Sequence, residues 1–193
     1  MPPLSPDQIQ QRAADSVFGR RLIMNSFRGV IAEAVIASAL EPTWRWCAAD
    51  WSSWDFEHED GTRLEVKQSA ARQSWVSQPN GRSVPKFDIQ ARTGHWHGTI
   101  WRANETGERL AHLYVFAFHP IVGDEADHRD PAQWQFYVVG SKRLSANKSI
   151  SLPSLKALAD PVSIADLSAD VEVARTAYQS DLLQRQPVLE RSP

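Results

Sequence analysis

The stretch WDFEHEDGTRLEVKQSA, residues 54–70, constrains the fold of this chain more than any other. Two β-prone runs, 54–58 and 62–69, flank Glu59-Asp60-Gly61, and Gly61 suits the positive φ of a three-residue hairpin loop. Counting outward from that loop sets His58 opposite Thr62 and Asp55 opposite Glu65. Directly opposed residues share a face, with Cβ atoms about 5 Å apart. Glu65 and Lys67 share a face because strand side chains alternate. Leu64 and Val66 then point the other way, into a core. One face of a single hairpin thus gathers Asp55, Glu65 and Lys67, and a one-residue slip of register would dissolve the arrangement.

Opposed carboxylates repel unless something cationic lies between them. Lys67 offsets part of that charge. A divalent ion would offset more: Mg2+ prefers carboxylate oxygens and keeps several waters. Such an ion acidifies a water into a nucleophile, and a nearby ammonium can orient it and stabilise charge developing on a phosphoryl group. Glu33 is the third acid of interest. It is the only acid in FRGVIAEAVIASAL, a helix predicted over 27–40 with Asn25 or Ser26 as cap and Pro42 as stop. Its three- and four-residue neighbours Gly29, Val30, Ile36 and Ala37 are small or apolar, so the helix should be mostly buried and Glu33 should need a partner. Gly29 and Ala32 should let the helix come close to the sheet. The bland alternative is a salt-bridged surface hairpin with Glu33 at a helix edge.

Asp55, nine residues, then Glu65-Val66-Lys67, behind a helix carrying Glu33, resembles the PD-(D/E)xK superfamily of restriction-endonuclease-like nucleases. The segments NSFRGVIAE, WDF and EVKQSAARQSW are similar to uncharacterised bacterial members of that group. The resemblance covers about residues 25–75 closely and the later strands only by order. Trp54 stands where the family name has proline. The resemblance implies an αβββαβ core, dependence on Mg2+ (with Mn2+ as a substitute), and hydrolysis of DNA phosphodiester bonds. Asp55 and Glu65 would be metal ligands, Glu33 an accessory ligand, and Lys67 the group that positions the attacking water. Gln68 is a further catalytic candidate, although strand alternation puts it on the opposite face.

Residues 70–107 form a basic, aromatic insertion. Its first part, 70–102, carries Arg72, Arg82, Lys86, Arg92 and Arg102 against one acid, Asp88, a local charge of +4 in a chain whose net charge is −2. Trp75, Trp96 and Trp101 are interleaved with His95 and His97. Arginines with aromatics suit phosphate contact and base stacking, so Arg72, Trp75, Arg82, Lys86, Arg92, His95, His97 and Arg102 are candidate nucleic-acid contacts. The alternative is an insertion whose tryptophans pack and whose arginines are solvated. His95 and His97 could share a strand face as half of a zinc site, but no cysteine lies near them.

Along the rest of the chain, Ser5 and Pro6 signal a helix start, behind a loose arm over residues 1–6. The insertion reads as irregular, with a short helix near 87–92. HLYVFAF (112–118) and QWQFYVV (133–139) are strong strand candidates, and His112 and His119 at the ends of the first read as satisfied structural residues. Helices are expected in SLPSLKALAD and over 163–184, with a frayed tail from residue 186. The order predicts an α/β domain spanning residues 1–193, with a mixed central sheet flanked by helices. The single cysteine, Cys47, should be buried and inert, and allows no intrachain disulfide. No apolar run approaches the ~20 residues of a membrane span, and the N-terminus lacks a signal-peptide pattern, so the expected compartment is the cytoplasm.

The sequence therefore favours a metal-dependent deoxyribonuclease, most simply an endonuclease. Two rivals stay open: a nucleic-acid-binding module of the same fold, and a protein-interaction domain. A homodimer is compatible with the first reading, since cutting both strands of a duplex commonly takes two sites, but no segment marks an interface.

Overall fold

A computed structural model describes residues 3–21, 24–47, 53–74, 84–97 and 100–185. Helix α1 (Pro6–Phe18) begins with a capping box: the Ser5 hydroxyl accepts from the Gln8 N–H and the Gln8 side chain accepts from the Ser5 N–H. It buries no residue. Helix α2 (Asn25–Leu40) starts two residues before the expected point. Met24, rather than Asn25 or Ser26, holds the cap position, because the Asn25 oxygen is taken by the Arg28 guanidinium. The helix ends ahead of Pro42, where the Glu41 N–H bonds the Ala37 carbonyl.

Strands β1 (Trp44–Trp46), β2 (Phe56–His58) and β3 (Arg63–Ala70) form an antiparallel meander. Strand β3 then pairs in parallel with the later β7 (Leu113–His119), which pairs antiparallel with β8 (Gln135–Gly140). The sheet order is β1-β2-β3-β7-β8. All seven residues of β7 are buried, as a central strand covered on both faces requires.

One face of the sheet, carrying Phe56, Leu64, Val66, Val115 and Val138, packs against Ala32, Val35, Ile36 and Leu40 of α2. The C-terminal helix, Ile164–Arg185, joins this layer through Leu167, Val171, Ala174 and Tyr178, spaced by three or four residues. The other face, with Tyr114, Phe116, Phe118, Tyr137 and Val139, is closed by a different layer. This layer is a two-stranded sheet of β4 (Lys86–Asp88) and β9 (Ser149–Ser151), with a short helix, Leu152–Lys156, behind it. Strands β5 (Gly94–His97) and β6 (Ile100–Ala103) form a separate hairpin. The helices are numbered α3 (Leu152–Lys156) and α4 (Ile164–Arg185) in chain order.

The chain is thus α/β with a mixed sheet flanked by helices. Three expectations need correction. The helix near 87–92 is absent: Phe87 and Ile89 are buried while Asp88 and Gln90 are exposed, a period of two that makes a strand. The insertion, expected to be irregular, carries the strands β4, β5 and β6, and among the described residues no α-helix lies between β3 and β7. Helix α2 is also less enclosed than its composition suggests: Val30 is 44% exposed, and nothing lies within 4 Å of where a Cβ on Gly29 would stand. Gly29 therefore serves no close helix–sheet approach. Helix α1 starts at Pro6 behind Ser5, where the sequence places its start, and the tail from residue 186 lies outside the described residues, as do Trp75 and Arg82.

Candidate functional site

The loop between β2 and β3 fixes the register that the site depends on. Gly61 has φ 79°, its N–H bonds the His58 carbonyl, and the Asp60 carboxylate accepts from the Thr62 N–H at 2.9 Å. Phe56 pairs with Leu64 and Glu57 with Arg63. The regular pairing ends at Phe56–Leu64: the Asp55 N–H also turns to the Leu64 carbonyl, so the ladder is irregular where the sequence predicts Asp55 opposite Glu65. Asp55 lies just outside the regular strand but its backbone is held on both sides: its N–H bonds the Leu64 carbonyl, and its carbonyl accepts from the Cys47 N–H at 2.7 Å.

The ladder between β2 and β3 gives way here to a side chain. The Asp55 carboxylate accepts from the backbone N–H of Val66 at 2.6 Å. It thereby lies against the strand that carries Glu65 and Lys67. Those two form an ion pair, Lys67 Nζ to Glu65 Oε1 at 2.5 Å, with both side chains about one-sixth exposed (17% and 16%). Glu33 comes from α2, where its carboxylate accepts from Trp46 Nε1 at 3.1 Å.

Electrostatics tie the three acids together. Burial, then the charges of Glu65 and Glu33, push the Asp55 carboxyl up to about 7, against partial relief from the Val66 N–H and Lys67. Burial also raises Glu33, which senses both Glu65 and Lys67. Each acid therefore lies within electrostatic reach of the others, with a single ammonium among them. Yet each has its own donor, Val66 N–H, Lys67 or Trp46. Among the described residues no three His, Cys, Asp or Glu side chains are already grouped as a ligand shell. The donor set, carboxylates with excess negative charge, suits a hard cation such as Mg2+.

Gln68 is not part of this cluster. It faces the α2 side and accepts a hydrogen bond from Arg28 Nε. Sequence reasoning passed over Arg28, although a lone arginine in an otherwise apolar helix was a visible signal. It also passed over His128, which is fully buried beside His119, their rings 4.7 Å apart. His119 is only partly satisfied: one ring nitrogen contacts Gln133 at 3.1 Å and Nδ1 has no partner. His112, by contrast, accepts from the Arg63 N–H and stacks on Tyr178, a structural role as expected. Cys47 is half-buried rather than buried, and burial raises its thiol, which suits an unreactive group.

The basic insertion is divided. Arg72 is engaged with the 121–130 loop, through the Gly123 carbonyl and Asp124. Lys86 is exposed on β4 and Arg92 is exposed 4.0 Å from Asp88. Arg102 and Trp101 are exposed on β6, with Arg102 opposite His95 of β5, where His97 also lies. The described candidate contacts thus sit on separate elements: Arg72 just after β3, Lys86 on β4, Arg92 between β4 and β5, His95 and His97 on β5, and Arg102 on β6.

No family model matches the chain, and no curated protein matches it. Among the described residues no helix is long and apolar enough to cross a membrane.

Proposed function

We propose that this chain is a metal-dependent nuclease that hydrolyses DNA phosphodiester bonds, a restriction-endonuclease-like protein of the PD-(D/E)xK type. The observation that carries the reading is the Asp55 carboxylate set against β3 beside Glu65 and Lys67, with Glu33 in electrostatic reach. Asp55, Glu65 and Glu33 would hold Mg2+ or Mn2+. When bound, the ion supplies charge neutralisation and a water of lowered pKa.

The chain's own groups do the rest. Asp55, titrating near 7, holds a proton at low pH and offers a full carboxylate only above neutrality. Lys67 is tethered by Glu65. With the Glu65 carboxylate holding a cation, the Lys67 ammonium would be free to orient a water and stabilise charge on the phosphoryl oxygens. Exposed Lys86, Arg92, Arg102 and Trp101 offer phosphate and stacking contacts for the strand. A homodimer acting on duplex DNA in the cytoplasm is the simplest setting for such an enzyme.

One observation favours a rival: each carboxylate already has a donor of its own, which a module that only binds DNA could keep permanently. Supercoiled plasmid separates the two. The enzyme reading expects nicking or linearisation with Mg2+, none with EDTA, and none by Lys67→Ala. Cleavage by folded Lys67→Ala at the wild-type rate would remove Lys67 from the mechanism, and plasmid bound but intact in Mg2+ would favour the binding module.

A further inference from the structure

Arg28 is 7% exposed. A buried guanidinium ordinarily faces a carboxylate, because an unpaired buried charge is costly. Arg28 faces three amide oxygens instead: Gln68 on Nε, and Asn25 at 2.7 Å and Gln73 at 3.1 Å on Nη1. These orient the planar group without neutralising it. Among the described residues Arg28 makes no ion pair, and its Nη2 makes no hydrogen bond.

A neighbour offers a further donor. Asn25 Nδ2 is buried with no partner; His119 Nδ1 and both ring nitrogens of His128 are also unpaired, but a neutral imidazole whose Nε2 faces the Gln133 oxygen, as in His119, leaves Nδ1 a lone pair. Both histidines are fully buried. Burial foremost, then for His128 its neighbour His119, and the Arg28 charge lower both, His128 to about 3, against the charge of Asp127, so neither histidine adds a second cation beside Arg28. Ala70 and His119 are partners at the carboxyl end of the parallel β3–β7 pair, and crevices outside the carboxyl ends of parallel strands are where open α/β sheets bind ligands. The unpaired Asn25 Nδ2 donor, beside a buried guanidinium with no acid on it among the described residues, suits an anion oxygen.

We propose that Arg28 and Asn25 form a phosphate-binding site at this end of the sheet, with Gln68 and Gln73 fixing the guanidinium. Phosphate matches the fork of Arg28 bidentately. It has two sources. One is a phosphate of a nucleic-acid strand, and this source rests on the function proposed above, since Gln68 directly follows Lys67. The other is free phosphate or a small phosphorylated molecule, which does not.

The test uses the full chain in EDTA, so that no cleavage is needed. The Arg28 Nε–Hε NMR resonance of the wild-type protein is followed during titration with inorganic phosphate and, separately, with an oligodeoxynucleotide lacking terminal phosphates. Affinities are measured in parallel for Arg28→Gln and Arg28→Lys. The site expects the resonance to move with at least one probe, and Arg28→Gln to weaken that probe's binding about tenfold or more, with Arg28→Lys in between. Movement with the oligonucleotide assigns the site to a strand. Movement with phosphate alone keeps the site but counts against the nuclease reading. A resonance unmoved by both probes, or a folded Arg28→Gln that binds as wild type, overturns the proposal.

Discussion

The carboxylate of Asp55 accepts its hydrogen bond from the Val66 N–H, 2.6 Å away, on the strand whose neighbouring residues are Glu65 and Lys67. A side chain replaces a backbone acceptor at the point where the hairpin ladder ends, and the replacement concentrates negative charge. Burial and that charge raise the Asp55 carboxyl to about 7.

Asp55→Asn should therefore stabilise the metal-free protein at about pH 8. The folded value lies above the unfolded value of about 3.9. Below about pH 4 the group is protonated in both states and its contribution is intact. As pH rises toward 7 the unfolded chain releases its proton first, and the contribution is lost. Urea denaturation should give Asp55→Asn an advantage on the order of 1–3 kcal/mol at about pH 8 and little at about pH 4. An equal difference at both values would mean that Asp55 is not strained by charge.

Asp60 should show the opposite pH dependence. Burial alone would raise its carboxyl, but hydrogen bonds from Thr62, Arg175 and His58 outweigh it and hold it below the ordinary range. Its contribution is present above about pH 4 and lost as pH falls. Arg175 Nη1 lies 2.7 Å from Asp60, which ties α4 to the hairpin loop, with both side chains about one-quarter exposed (23% and 28%). Asp60→Ala should cost about 1–2 kcal/mol at neutral pH and flatten the acid limb of the stability profile. Acid stability unchanged in the variant would place the sensitivity elsewhere.

Gly61→Ala should cost about 1–2 kcal/mol through backbone strain alone. The φ of 79° is the left-handed region, and an added Cβ would meet nothing within 4 Å. Asn at this position, which tolerates that conformation, should lose less. Thermal melts of the two variants compare strain directly, and equal losses would point to packing instead.

Trp46→Phe should cost about 1 kcal/mol and leave Glu33 without its donor. The Glu33 carboxyl, already raised by burial, should rise further, which NMR titration of its side-chain carbon reads. A value unchanged in the variant would mean that the indole does not hold this acid.

The hairpin was more legible than the layers around it. Its pairing through Phe56–Leu64 followed from a three-residue loop and strand alternation, both local, whereas the irregular step at Asp55 has no signal in the residue pattern. Six of the seven buried residues of β7, Leu113 to Phe118, announced themselves as a continuous apolar run. Strand β4 did not, because KFD is short and its partner, SIS of β9, lies some sixty residues on. Only that non-local pairing, and the burial of Phe87 and Ile89, makes it a strand. Arg28 was missed for a related reason. Its lack of an acid becomes informative only once its burial and its three amide partners are known.

The most direct test of the account is calorimetric titration of Mg2+ into the metal-free protein at about pH 8, with Glu65→Gln and Asp55→Asn beside it. The account predicts saturable binding by the wild type, weakening as pH falls below about 7 and Asp55 takes up its proton, and loss of binding in both variants. Binding of equal strength in folded Glu65→Gln and Asp55→Asn, or no binding by the wild type, would contradict it.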